Sequence, residues 1–136
     1  MSTSASNMPF AATLAVGLGG AIGAAARFQL GLALVRLAPM TTGFPWATLI
    51  VNIIGSLAMG ALAGWFARSG AASETMRLFL TVGLLGGFTT FSAFSAELVT
   101  LLHRGQAGLA IGYAAVSVIA GMAAFVLGLV AIQAAR

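Results

Sequence analysis

Four long apolar segments constrain this chain more than any other feature of its sequence. They cover residues 10–35, 46–67, 78–102 and 107–135, and each exceeds the roughly 20 residues that a helix needs to cross a bilayer. Only 6% of the residues are charged, whereas soluble domains average about a quarter. The sequence therefore predicts an all-α membrane protein, a single domain over residues 1–136 with four transmembrane helices.

The third segment contains an interruption. It carries the run GGFTTFSAFS at residues 86–95, in which a glycine pair and two adjacent threonines weaken the helix. Irregular backbone at bilayer depth is tolerated only where it is buried in protein or lines a cavity, and broken helices commonly mark ion or substrate sites. We therefore expect the third helix to break at the midplane, over residues 86–89, in an ion-conducting membrane protein.

The arginines outside the spans specify orientation only weakly. Four spans place Arg68, Arg77 and Arg136 on one side and Arg36 and Arg104 on the other, a difference of one charge (3 − 2). One interpretation is a chain that inserts both ways up and pairs as an antiparallel homodimer. The other is that one extra arginine, or the membrane context, fixes a single orientation.

Polar side chains within the spans gather in one half of the membrane. By helical rise, Arg27 lies about 13 Å from Arg36, and Asn52, Glu97 and Tyr113 each lie about 9 Å inside their spans. Since consecutive spans alternate in direction, these depths belong to the same half. A charge inside the bilayer is a functional candidate by default, but a long side chain near the interface also reaches water or forms a structural ion pair. Both interpretations stay open for Arg27 and Glu97.

Small residues recur at every fourth position on three spans, and this spacing is more typical of helix packing faces than of sites. The stripes are Gly19, Gly23, Arg27 and Gly31; Thr48, Asn52, Ser56, Gly60 and Gly64; and Tyr113, Ser117 and Gly121.

The chain lacks the side chains that catalysis requires. It has one histidine, no cysteine, and two carboxylates, Glu74 and Glu97, on different halves of the membrane. The six arginines are scattered, so a nucleic acid is not expected as a partner. The sequence therefore predicts that this chain is not an enzyme.

The broken segment offers two kinds of ion contact. Phe91 and Phe94 share one helical side, and ring edges beside hydroxyl donors favour a small anion, although such phenylalanines more often simply pack. The carbonyl oxygens that a break releases suit a hard cation such as Na⁺.

Taken together, these motifs resemble the CrcB/Fluc family of fluoride-specific ion channels. The resemblance covers nearly the whole chain: GGAIGA at 19–24 with Arg27 and Phe28, TLIVN at 48–52 with Gly55 and Ser56, and GGFTTFSAFS at 86–95 with Glu97. It implies an antiparallel, dual-topology homodimer in the cell (inner) membrane. This dimer would contact lipid and contain two parallel pores that let the membrane potential drive fluoride out.

The resemblance also implies roles for individual residues. Asn52, Phe91 and Phe94 would line each pore, and the polar track would include Ser92, Thr48, Tyr113 and Ser117. A structural Na⁺, not transported, would be held by the carbonyls of Gly86 and Thr89 from both protomers. Arg27 and Glu97 match charged positions of the family, whereas Ala93 stands where members of the family carry a hydroxyl.

Two other functions remain possible interpretations. A small dual-topology exporter of drug cations has the same architecture, but it needs a midplane carboxylate, usually on the first span, where this chain has Arg27. A non-conducting scaffold subunit would use Phe91 and Phe94 for packing alone.

Overall fold

The four-span prediction is confirmed. The computed structural model describes residues 8–37, 43–70 and 72–135. Its helices long and apolar enough to cross a membrane are Phe10–Leu37, Trp46–Ser69, Glu74–His103 and Ala107–Ala134, and no strand occurs in these ranges. The third span begins at Glu74, where Ser73 caps the helix by accepting a hydrogen bond from the Met76 amide, and not at residue 78. Arg136, counted above for orientation, lies outside the described residues.

The third span is divided into several helical pieces. The elements in chain order are α1 (Met8–Leu37), α2 (Trp46–Ser69), α3 (Glu74–Leu78), a π-helical segment (Phe79–Leu85), α4 (Gly86–Phe88), α5 (Phe91–His103) and α6 (Ala107–Ala134). Between α4 and α5 the backbone is extended, with φ −82° and ψ 161° at Thr89 and φ −149° and ψ 120° at Thr90. The predicted break in the third helix is thus confirmed.

The predicted position of the break was wrong in detail, because Gly86–Phe88 are helical and the chain leaves the helix at Thr89 and Thr90. The glycine pair serves helix packing instead of breaking the helix: a methyl group on Gly87 would overlap the Gly20 carbonyl of α1. The Thr90 side chain caps α5 by accepting a hydrogen bond from the Ala93 amide at 3.2 Å. Side-chain capping by Thr90, and not the glycine pair, therefore sets where α5, the second half of the third span, begins.

Glycines bring the helices into close contact, as predicted for the small-residue stripes. α2 packs mainly on α6 and α1 on the π-helical segment. A Cβ on Gly60 would overlap the Phe125 carbonyl, and one on Gly23 would overlap the Leu84 carbonyl. Gly31 is an exception, since nothing lies within 4 Å of the Cβ that it lacks.

Little of this chain is buried within itself. One compact cluster, made of Leu49, Leu101, Ala110 and Tyr113, lies where α2, α5 and α6 meet. Large apolar side chains elsewhere are exposed, among them Leu18 at 64%, Ile119 at 69% and Met122 at 66%. Such a surface requires lipid or another protein chain around it.

Candidate functional site

Asn52 of α2 holds the break in place. Its Nδ2 donates to the Thr90 carbonyl at 3.1 Å, and its Oδ1 accepts from the Thr90 amide at 2.9 Å. Both ends of one side-chain amide thus pair with one residue of the extended backbone. This supplies partners for peptide groups that the bilayer would leave unsatisfied. Sequence reasoning selected Asn52 as a pore residue but did not find this pairing, because the two residues lie 38 positions apart.

The same contacts release two main-chain carbonyls. In a continuous helix the Thr90 amide would donate to the Gly86 carbonyl and the Ala93 amide to the Thr89 carbonyl. Here the Thr90 amide donates to Asn52 and the Ala93 amide to the Thr90 hydroxyl. Gly86 is also exposed on the surface of the chain. Two carbonyl oxygens near the break have therefore lost their helical donors.

Arg27 of α1 supports the other side of the break. Its Nε donates to the Gly87 carbonyl at 3.3 Å, so a charged donor satisfies the carbonyl of the residue before Phe88, the last residue of α4. Arg27 is half-buried, and within the described ranges it forms no ion pair with Glu97. The choice between a functional charge and a structural one stays open for both residues.

Glu97 of α5 lies at a junction of three helices. One carboxylate oxygen accepts from the Thr48 hydroxyl of α2 at 2.6 Å, and the other accepts from the Tyr113 hydroxyl of α6 at 2.7 Å. Hydrogen bonds of this length to a carboxyl group are among the stronger hydrogen bonds in proteins. The structure thus brings together Glu97 and Tyr113, which the sequence placed only in the same half of the membrane, and adds Thr48 to them.

Phe91 and Phe94 are neighbours at the start of α5, with ring centroids 5.8 Å apart and planes tilted by 40°. The predicted shared helical side is confirmed. Phe94 is half-buried against Tyr113, at 5.1 Å between centroids, whereas Phe91 is 79% exposed. The pair therefore runs from the interior cluster to the surface of the chain.

The remaining predicted hydroxyls differ in their surroundings. The Ser92 hydroxyl is exposed and 3.4 Å from the Thr90 hydroxyl. The Ser95 hydroxyl is occupied, since it donates to the Phe91 carbonyl at 2.9 Å. The Ser117 hydroxyl is buried and has no hydrogen-bond partner in the part of the chain that the structure describes.

An open cleft of about 280 Å³ lies beside the break. Its lining combines amide and hydroxyl groups with aromatic rings and a thioether: Asn52, Gly55, Ser56, Met59, Thr89, Thr90, Phe91 and Phe125. A methyl group on Gly55 would overlap the Thr89 side chain, so the second span approaches the break closely at this point. The cleft has the polar and aromatic lining of a small-ion site, but the chain closes it on one side only.

These features define a class of protein: a small four-span membrane protein with a broken helix beside an open, partly polar cleft. The family model described as CrcB-like protein, Camphor Resistance (CrcB), matches residues 14–129. The chain belongs to this CrcB-like family of multi-pass membrane proteins.

Three curated relatives are each named as a fluoride-specific ion channel FluC. The protein from Novosphingobium aromaticivorans is 54% identical over 118 residues, covering 87% of this chain and 93% of its own length. The protein from Hyphomonas neptunium is 56% identical over 117 residues, with coverages of 85% and 91%. The protein from Caulobacter vibrioides is 44% identical over 117 residues, with the same coverages.

Proposed function

We propose that this chain forms a fluoride-selective passive channel of the cell (inner) membrane that lowers cytoplasmic fluoride and protects against its toxicity. The observation that carries the proposal is the cleft at the break, where the Asn52 amide, the Thr90 hydroxyl and the Phe91 ring line one space. The names of relatives at about 50% identity, each a fluoride-specific ion channel, support fluoride as the ion.

The chemistry of the cleft suits a small anion. Fluoride is strongly hydrated, so a pore has to replace its water with closely placed donors. Ring edges carry partial positive charge, and the Phe91 and Phe94 rings lie next to each other at the start of α5. In this reading Asn52, Phe91 and Phe94 line the pore.

The Thr48 and Tyr113 hydroxyls can contact an anion in the pore only after they leave their present hydrogen-bond acceptor. Both point their protons at Glu97, so they bind an anion only when the carboxylate gives up one of its hydrogen bonds. Ser117 has no such competitor, because its hydroxyl is unpaired within the described residues. The polar track therefore continues past Phe94 through groups that exchange partners as the ion moves.

A second copy in antiparallel orientation would complete the pore. Phe91 is 79% exposed, Gly86 is exposed, and the cleft is open, all on the broken third span. A pore residue in this position needs a wall that one chain does not provide. Two copies would enclose two parallel pores, surrounded by lipid.

The residues near the break also fit a structural Na⁺. Na⁺ prefers hard oxygen ligands, and the carbonyls of Gly86 and Thr89 have lost their helical donors to Asn52 and the Thr90 hydroxyl. In an antiparallel dimer the same carbonyls from both protomers would hold the ion. A bound cation supplies a fixed positive charge that offsets the charge of passing anions. It is not transported.

No observation favours a drug-cation exporter. An exporter needs a carboxylate that is free to bind a cation, whereas both oxygens of Glu97 already accept hydrogen bonds. The Glu97→Gln variant tests the exporter function, because an exporter that lost this carboxylate would lose all transport, including the transport of drug cations.

The test is fluoride efflux from liposomes that contain the purified protein, followed with a fluoride electrode in the presence of a K⁺ ionophore. We expect fast electrogenic fluoride release and no chloride release. The Phe91→Ile and Phe94→Ile variants should be folded and dimeric but should release fluoride more slowly than the wild type. Absence of fluoride release from folded wild-type dimer would refute the channel, and unchanged release from both variants would refute the assigned pore.

A further inference from the structure

Phe44 lies in the short turn that leads into α2 and was not singled out by any sequence motif. Gly43 takes a positive φ of 71°, and the Trp46 amide donates to the Phe44 carbonyl at 2.9 Å. This tight turn directs the Phe44 ring towards the buried cluster of Leu49, Leu101, Ala110 and Tyr113, against which it packs.

The Phe44 ring belongs to a connected series of aromatic rings. Its centroid lies 4.5 Å from that of Trp46 and 5.3 Å from that of Tyr113, and the Phe44 and Tyr113 rings form a T-shaped pair with an interplanar angle of 78°. Tyr113 in turn meets Phe94 at 5.1 Å, and Phe94 meets Phe91 at 5.8 Å. The series runs without a gap from the membrane-interface turn to the candidate pore.

Tyr113 is the central member of this series and has no freedom of its own. Its side chain is 0% exposed, with Phe44 on one flank and Phe94 on another. Its hydroxyl must reach Glu97 at 2.7 Å. Because the χ2 torsion of a tyrosine has a broad energy minimum, packing on the ring has to fix this orientation. Phe44 supplies one of these ring contacts from outside the helices.

We propose that Phe44 is a positioning residue of the ion path. It holds the ring of Tyr113 and thereby the hydrogen bond from Tyr113 to Glu97. Through the same ring it fixes the orientation of Phe94 at the pore. The inference rests on the proposed fluoride conduction for its functional consequence, but the positioning itself is a property of the folded protein.

The functional test compares fluoride release by wild type with that by three variants. Phe44→Ala removes the ring, Phe44→Leu keeps apolar volume without a ring edge, and Phe44→Tyr keeps the ring. We expect Phe44→Ala and Phe44→Leu to slow release about tenfold, the change that about 1.4 kcal/mol of lost ring contact produces. Phe44→Tyr should restore the rate to within about twofold of wild type on the same grounds.

The matched control is Phe10→Ala, which removes a phenylalanine that is 66% exposed on α1 and should leave release unchanged. Chain assembly is checked by size exclusion and circular dichroism. Should Phe44→Ala fail to fold, Phe44→Leu keeps the inference testable. If folded Phe44→Leu and Phe44→Ala released fluoride at the wild-type rate, the positioning role of Phe44 would be refuted.

A second measurement does not depend on conduction. Tyr113 is the single tyrosine of the chain, so the tyrosine Raman doublet reports on its hydroxyl alone. We expect the doublet of a strong hydrogen-bond donor in the wild type and a change towards mixed hydrogen bonding in Phe44→Leu. The Phe44→Tyr variant is left out of this measurement, because it would add a second tyrosine. If wild type releases no fluoride, the proposed function fails, and this spectrum alone decides the positioning role. An unchanged doublet in Phe44→Leu would overturn that role.

Discussion

The pairing of Asn52 with the Thr90 backbone predicts a local loss of order when the side-chain amide is removed. Asn52→Leu keeps similar volume but deletes both hydrogen bonds, of 2.9 and 3.1 Å. Interhelical hydrogen bonds in membranes contribute about 1 kcal/mol each, so the ordered break loses about 2 kcal/mol. An energy of this size corresponds to a roughly 30-fold change in the local opening equilibrium.

Hydrogen exchange measures that opening at the residue concerned. The Thr90 amide donates to Asn52 in the wild type, so its protection should fall by about 30-fold in Asn52→Leu. Protection of the α6 amides, which lie away from the break, should stay unchanged. The control is Ser56→Ala, one helical turn along α2 and on the same cleft. If the Thr90 amide of folded Asn52→Leu were as protected as in the wild type, the stabilising role of the Asn52 side chain would be refuted.

Three further predictions concern packing, the Glu97 junction and topology. Gly60→Ala should prevent stable assembly, because its methyl group would overlap the Phe125 carbonyl, whereas Gly108→Ala should behave as wild type in the same detergent-stability assay. Tyr113→Phe should lower the free energy of unfolding, measured by SDS titration, by about 1.5–3 kcal/mol, because a carboxylate oxygen of Glu97 loses its hydrogen-bond donor. An unchanged midpoint of the titration would contradict this. In the cysteine-free chain, Gln106→Cys should react with an impermeant maleimide from both sides of sealed vesicles if insertion is dual. Labelling from one side only would exclude dual topology.

The features that could be predicted from the sequence are those with local causes. Hydropathy over about 20 residues identifies a span regardless of its neighbours, so all four spans were found. The glycine stripes likewise predicted close helix contacts, because a missing side chain matters wherever two backbones meet.

The features that could not be predicted depend on partners distant in sequence. The exact end of the first half of the third span is set by the pairing of Asn52 with Thr90, and no local pattern encodes it. The same holds for Glu97, whose partners come from α2 and α6, and for the Arg27 contact to the Gly87 carbonyl. The depth calculation placed some of these residues at similar levels but gave no information on which side chain faces which.

The π-helical segment Phe79–Leu85 gives the third span one place where its length can change. A π-helical stretch holds one residue more than the α-helix that would fill the same length, so deleting a single residue there lets the stretch relax to an ordinary α-helix. The helices on either side then keep nearly the same facing, whereas a deletion within a regular α-helix turns everything beyond it by about 100°. Gly83 has to keep its place, because a side chain there would overlap the Val16 backbone. Deletion scanning should therefore find this apolar stretch more tolerant of one lost residue than α2 or α6, provided that the deletion spares Gly83.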